Sequence, residues 1–391
     1  MSEQQKSQIF NNKLSLFSVI VLAMLIINVV IFLVEDKGSL KNAAINDGTS
    51  IVRGVVGDRA VHCEDSNDSS LCISSYNAYA EKKYSALWLG NSQLHSINQM
   101  REDEVPATAL LHEKLLNHKL YLQTFSQGNA NLEEHFLLFN FVLQYADLDL
   151  LILPVFFDDM RETGIREDIR NLFKSPSSLN GRNTYLDDLL SGSGFQNFDS
   201  KSQKVVLKDD FNGLEGSIQA TVESALDRYL TEFSIFWQMR GEIRGNLYLQ
   251  LYRLRNFIFQ IDASSVRKKI PGRYNRNMEA LDKIIEVARV NNTKVLLYIP
   301  PLRTDKMIPY DLGEYAEFKD DIKSRSTSNT TVIDFEKIVP DSLWGLKDST
   351  DMTGKLELDF MHFKGEGHKV LSQALYEEII EQDLIGMTDD I

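Results

Sequence analysis

The chain has 391 residues, 43% of them hydrophobic and 25% charged, with 21 Gly and 8 Pro. That length holds one generous domain or two ordinary ones, and that composition excludes a disordered, collagen-like or low-complexity chain. Lys and Arg number 42 against 56 Asp and Glu, a net charge of −14, which argues against nucleic acid as a partner because phosphate neutralisation needs a basic surplus.

After a short tail (1–13) comes the run 14–34, LSLFSVIVLAMLIINVVIFLV, uncharged and interrupted by Ser15, Ser18 and Asn28 as its polar residues. As a helix it spans about 31 Å, against about 30 Å for a hydrocarbon core. A cleaved signal peptide is the rival reading, but its apolar core is shorter and ends in a small-x-small site. Here Glu35, Asp36 and Lys37 follow directly, so the run reads as an uncleaved signal anchor that crosses the membrane once. The positive-inside rule is nearly tied, with Lys6 and Lys13 before the span and Lys37, Lys41 and Arg53 after it. Cys63 and Cys72 bracket the polar loop EDSNDSSL. A disulfide closing that loop suits an oxidising compartment, and two unpaired thiols are the alternative. We take residues 1–13 to be cytoplasmic and the bulk of the chain to be extracytoplasmic or periplasmic, held at the plasma (inner) membrane.

Residues 35–80 read as a polar lead-in, and 81–391 as one α/β domain with a helical insertion at about 170–276. Apolar runs at 84–89 (YSALWL), 120–125 (LYLQTF), 148–157 (LDLLILPVFF), 294–299 (KVLLYI) and 331–335 (TVIDF) suit strands buried on both faces. Between them lie amphipathic stretches such as 277–290, with Leu281, Ile284, Ile285 and Ala288 on one stripe. The repetition predicts a flavodoxin-like three-layer arrangement, a parallel sheet with helices on both faces. In the insertion, 170–215 is polar apart from KVVL at 204–207. Residues 216–240 carry apolar side chains at helical spacing, either a helix covering the core or a lid or docking helix for a membrane partner.

Three clusters stand at the ends of predicted strands, where open α/β sheets place ligands. Gly90-Asn91-Ser92-Gln93 puts a hydroxyl at the sheet edge and a backbone N–H at a helix start, or is simply a turn. Ser126-Gln127-Gly128-Asn129 offers a Gly whose backbone approaches a ligand closely, or again a turn. Asp359-Phe360-Met361-His362 sets a carboxylate three residues before an imidazole, a spacing that holds the ring in one tautomer, or is a polar loop before the helix 369–380. His368, at the start of that helix, reads as structural. His62, His95, His112, His118 and His135 show no metal-ligand spacing, so neither a metal nor an organic cofactor is expected.

Together the clusters resemble the SGNH (GDSL-like) hydrolase family over about 84–165 and 277–380. Gly90-Asn91-Ser92 stands where that family has Gly-Asp-Ser, Gly128 at its second-block oxyanion Gly, and Asp359-x-x-His362 with Gly367-His368 at its last block. The resemblance implies Ser92 as nucleophile, His362 as its base and Asp359 as the orienting acid. The Ser92 and Gly128 N–H groups would then hold the oxyanion. It departs at the third block. Where the family has Gly-x-Asn-Asp, this chain has Phe156-Phe157-Asp158-Asp159, so a carboxylate at Asp158 replaces the oxyanion-donating Asn. Asp158 is then displaced or protonated, or two backbone donors suffice, or the protein is an inactive relative. With its anchor and insertion, the chain also looks like the accessory proteins of teichoic-acid D-alanylation and polysaccharide O-acetylation. Those work beside a multi-pass membrane-bound O-acyltransferase, on a cell-envelope polysaccharide or an acyl carrier. The expectation is an extracytoplasmic serine acyl-esterase or acyltransferase forming an acyl-enzyme on Ser92. The alternative is an inactive glycan-binding or scaffold module.

Overall fold

A computed structural model of the protein describes residues 49–51, 54–63, 66–173, 184–191, 251 and 253–386. The predicted span 14–34 and the stretches 204–207 and 216–240 lie outside these residues. Among the described residues no helix is long and apolar enough to cross a membrane. The chain divides into two compact units, Asp47–Phe198 with Ile261–Ile391, and Met1–Asn46 with Asp199–Gln260. Of the second, residues 251 and 253–260 are described and are largely helical.

Its centre is a parallel sheet of six strands, β1 (His62–Cys63), β2 (Tyr84–Gly90), β3 (Leu120–Ser126), β4 (Leu150–Pro154), β5 (Lys294–Ile299) and β6 (Thr330–Asp334). Across the sheet they run β6-β5-β4-β2-β3-β1. Leaving out the edge strand β1, that is the doubly wound order 2-1-3-4-5, whose switch point falls between β2 and β4. An antiparallel pair, β7 (Trp344–Lys347) and β8 (Glu357–Phe363), stands outside the sheet.

The described helices include α1 (Ser66–Ala78), the single turn α2 (Ser92–His95), α3 (Ala107–Leu116), α4 (Leu132–Val142), α5 (Pro271–Val290), α6 (Leu312–Lys323) and α7 (Gly365–Glu381). Strand side chains alternate between faces, so β2 sends Leu87 and Leu89 one way and Ala86 and Trp88 the other. Leu87 and Leu89 share a core with Tyr76 of α1, Phe136 of α4, Ile284 of α5 and Phe318 of α6. Ala86 and Trp88 share the opposite core with Leu111 of α3 and Leu375 of α7. Both faces are covered, which is why these strands are apolar without alternation.

Three boundaries differ from the sequence reading. Residues 62–78, assigned to the lead-in, belong to the sheet and one helix layer: Cys63 of β1 and Cys72 of α1 are buried and disulfide-bonded. The run 148–157 is strand at Leu150–Pro154, because Val155, Phe156 and Phe157 stay buried in the turn beyond it. The insertion is also narrower. Leu186 and Leu189 pack into the first core, and α5 begins at Pro271, a residue suited to the first turn because its missing N–H has no helical partner there.

Candidate active site

The switch point carries Ser92. β2 closes on Gly90, where a side chain has no room: an added Cβ would lie 2.3 Å from Leu94 Cδ1. Asn91 caps α2, its Oδ1 accepting the Gln93 N–H at 3.1 Å. Its Nδ2 donates to both oxygens of Asp159 at 3.2 and 3.3 Å. Burial pushes the Asp159 carboxyl well above the usual carboxylate range, outweighing that hydrogen bond. The cap leaves the Ser92 N–H, the first of the helix, without a partner among the described residues.

His362 and Asp359 lie within β8, where the sequence reading had them at a strand end or in a polar loop. Ser92 Oγ stands 3.0 Å from His362 Nε2, and His362 Nδ1 stands 3.0 Å from Asp359 Oδ2. Residues 270 apart are thus in one hydrogen-bonded line. Asp359 Oδ1 accepts the Met361 and His362 N–H groups, both at 3.0 Å. Burial alone would raise the Asp359 pKa, but the imidazole beside it and these hydrogen bonds hold it well below the usual carboxylate range. It is therefore an anion at any working pH, and it favours the Nδ1–H tautomer that leaves Nε2 to accept the serine proton.

Two residues that the sequence did not single out fix this line. Asn98 Nδ2 donates to Asp359 Oδ2 at 3.1 Å and to the Leu346 carbonyl at 2.9 Å. Buried Gln93 donates from Nε2 to the carbonyls of Pro301 and Met361 at 2.9 and 2.7 Å. It therefore ties the serine's helix to the histidine's strand. Neither role leaves a sequence mark, because each rests on backbone carbonyls brought in by distant segments.

Gly128 follows β3, and the strand register sets it beside the serine: Gly90 pairs with Ser126, and Gln127 N–H donates to the Gly90 carbonyl at 3.0 Å. The Gly128 N–H has no partner among the described residues. Its carbonyl is held by Arg166 Nη2 at 2.6 Å.

Asp158 does not act as an oxyanion donor. Its Oδ2 accepts hydrogen bonds from the Arg267 guanidinium and, at 3.0 Å, from the Tyr310 hydroxyl, while Arg161 lies 3.6 Å from Oδ1. These contacts turn its oxygens to Arg267, Tyr310 and Arg161, and the two guanidinium groups offset a charge there. This corrects its placement in the oxyanion set.

The histidines pair with hydroxyls and backbone. His95 Nδ1 and His62 Nε2 both meet Ser126 Oγ, at 2.7 and 2.6 Å, and His62 Nδ1 meets Thr108 Oγ1 at 2.9 Å. His368 accepts the Ala107 N–H, His112 donates to the Leu122 carbonyl, and His118 meets the Tyr376 hydroxyl. Among the described residues both ring nitrogens of fully buried His135 are unpartnered. Among the described residues no three His, Cys, Asp or Glu side chains form a metal-ligand set.

No family model matches the chain. No curated protein matches it either. Among solved structures it is similar to a candidate acylhydrolase from Bacteroides fragilis, with 10% identity, a TM-score of 0.37, and coverage of 81% of this chain and 97% of that one. That similarity is too distant to bear on function.

Proposed function

We propose that the protein is a serine acyl-esterase or acyltransferase that works through an acyl-enzyme on Ser92. The observation that carries this reading is the Ser92–His362–Asp359 line, 3.0 Å at each step. Ser92 Oγ attacks the ester carbonyl as His362 Nε2 takes its proton, and Asp359 stabilises the imidazolium. The Ser92 and Gly128 N–H groups receive the oxyanion. When the tetrahedral intermediate collapses, His362 returns the proton to the leaving alcohol. Water or a sugar hydroxyl then repeats the sequence in reverse and releases the acyl group. With Asp158 held by Arg267, two backbone donors carry the oxyanion. A missing third donor typically costs about 10²–10³ in turnover, which slows such a reaction without abolishing it.

The substrate we propose is an O-acyl group on a cell-envelope glycopolymer, handled outside the cytoplasm beside a membrane-bound O-acyltransferase. The Cys63–Cys72 disulfide supports an oxidising compartment, and the uncharged run 14–34 supports an anchor. A fluorophosphonate probe on the full chain in detergent tests the chemistry. Labelling that disappears in Ser92→Ala and His362→Ala is the expected result. Folded protein that takes no label refutes it and leaves a non-catalytic module.

A further inference from the structure

A cavity of about 560 Å³ opens beside Gly128. Its floor is the start of α4, with Asn131 and Glu134, and its far wall is the segment carrying Glu162, Thr163 and Arg166. The size is ordinary for a small-molecule site, but such sites are mostly apolar. Here Ile165 is the one apolar side chain of the lining among the described residues. A ligand filling this space gains little from apolar burial and is recognised by hydrogen bonds.

The charges narrow its chemistry. Arg166, the only cation of the lining among the described residues, is already engaged. It donates to the Gln127 amide oxygen at 3.2 Å and to the Gly128 carbonyl at 2.6 Å, and lies 3.5 Å from Glu134. Glu134 in turn accepts the Arg166 N–H at 2.9 Å, so that pair is internally balanced. What faces the open space is the Glu162 carboxylate, the Thr163 hydroxyl and the Asn129 amide. All three residues are exposed, and their side chains have no hydrogen-bond or ion-pair partner among the described residues. Such a surface accepts and donates hydrogen bonds and repels an anion. It fits a ring of neutral hydroxyls better than a phosphate or a uronate.

We infer that this cavity is a subsite for an uncharged sugar residue, which presents its O-acyl group across Gly128 to Ser92. The inference rests on the esterase reading for the direction of that acyl group, while the binding of the sugar is a property of the cavity alone. The two are therefore tested separately. Binding is read by saturation-transfer NMR on full-length Ser92→Ala protein, with cellobiose, xylobiose and chitobiose as neutral probes and digalacturonate as the anionic one. At least one neutral disaccharide should bind saturably in the millimolar range, with digalacturonate at least tenfold weaker. Thr163→Trp, at an exposed position, fills the cavity and should weaken the neutral sugar at least tenfold. Glu162→Lys should narrow the gap to digalacturonate at least fivefold, a second readout should the tryptophan variant fail to fold. Saturable binding by none of the neutral sugars, preference for digalacturonate, or affinity untouched by both substitutions overturns the inference. Each outcome stands whether or not the fluorophosphonate labels Ser92, so failure of the subsite and failure of the nucleophile are told apart.

Discussion

Acid should unfold this protein at a pH that most globular chains tolerate. Burial, reinforced by neighbouring charges, pushes His62, His135 and His368 down to about 3, and His95 and His112 down to about 4. A histidine with a lowered folded pKa binds fewer protons when folded than when unfolded. Its contribution is intact above about pH 6.5 and is lost as the pH falls from there toward the folded value. At pH 5 all five rings are neutral in the fold and charged in the unfolded chain. A pH unit is worth about 1.4 kcal/mol per proton, so each ring costs about 2 kcal/mol over that interval and the five cost about 10. Mutual repulsion between His62 and His95 does not inflate the figure, because neither is yet protonated in the fold. Asp159 works the other way. Its raised folded pKa keeps a proton that the unfolded chain releases, which offsets part of that loss. Glu134 and Asp149, raised chiefly by burial, act in the same direction as Asp159. The histidine cost of about 10 kcal/mol, partly offset by these carboxyls, is comparable with the whole stability of an ordinary domain, about 5–15 kcal/mol. Urea midpoints of the full chain, read through buried Trp88 and Trp344, should fall steeply between pH 7 and pH 5. A midpoint that moves by less than about 2 kcal/mol equivalent would show that the rings are charged in the fold or reached by water.

The remaining predictions concern single contacts. An added Cβ at Gly345 would stand 1.8 Å from Asn98 Oδ1, so Gly345→Ala should push Asn98 off Asp359. A hydrogen bond to a charged group is worth about 1.5–3 kcal/mol, and the rate of fluorophosphonate labelling should drop by about 10- to 100-fold in a variant that still melts cooperatively. His135→Phe removes two unpartnered polar atoms from a fully buried ring and should raise stability by about 1 kcal/mol while shallowing the acid slope by one histidine's share; lower stability with an unchanged slope would refute it. Arg267→Met strips Asp158 of its guanidinium partner; if the freed charge is felt at Ser92, labelling should slow about tenfold, and adding Asp158→Asn should restore it. A double variant as slow as the single one would mean that the carboxylate's charge is not felt at the site.

The sheet was legible because its strands are buried on both faces. Such strands show as unbroken apolar runs, and those at 84–89, 120–125 and 294–299 reappear as β2, β3 and β5 with ends shifted by no more than a residue. The same signal overran at 148–157, since Val155 to Phe157 are as buried outside the ladder as Ile152 is within it. β1 was invisible for the opposite reason: a two-residue strand has no period to read. β8 was hidden by its content. Its inner positions are shared between the core residues Phe360 and Phe363 and the polar pair Asp359 and His362, which in one dimension resembles a loop.

The site was legible where chemistry requires a residue type and illegible where geometry supplies the requirement. A serine after a Gly-Asn turn and an Asp three residues before a His are patterns with a chemical reason, so Ser92, Asp359 and His362 could be named from the chain. Asn98, Gln93 and Arg166 could not. Each acts on a backbone carbonyl or on a carboxylate more than 35 residues away in the chain, at Leu346 and Asp359, at Pro301 and Met361, and at Gly128. Any amide or guanidinium of suitable reach, folded to that point, would serve, so the sequence around them carries no mark. Asp158 shows the same rule from the other side. Read beside the serine it was a charge opposing catalysis, but its meaning depends on Arg267, 109 residues further on, which reaches its carboxylate only in the folded chain. An isolated motif shows which proton could move; only the packed neighbours show which charges oppose the move.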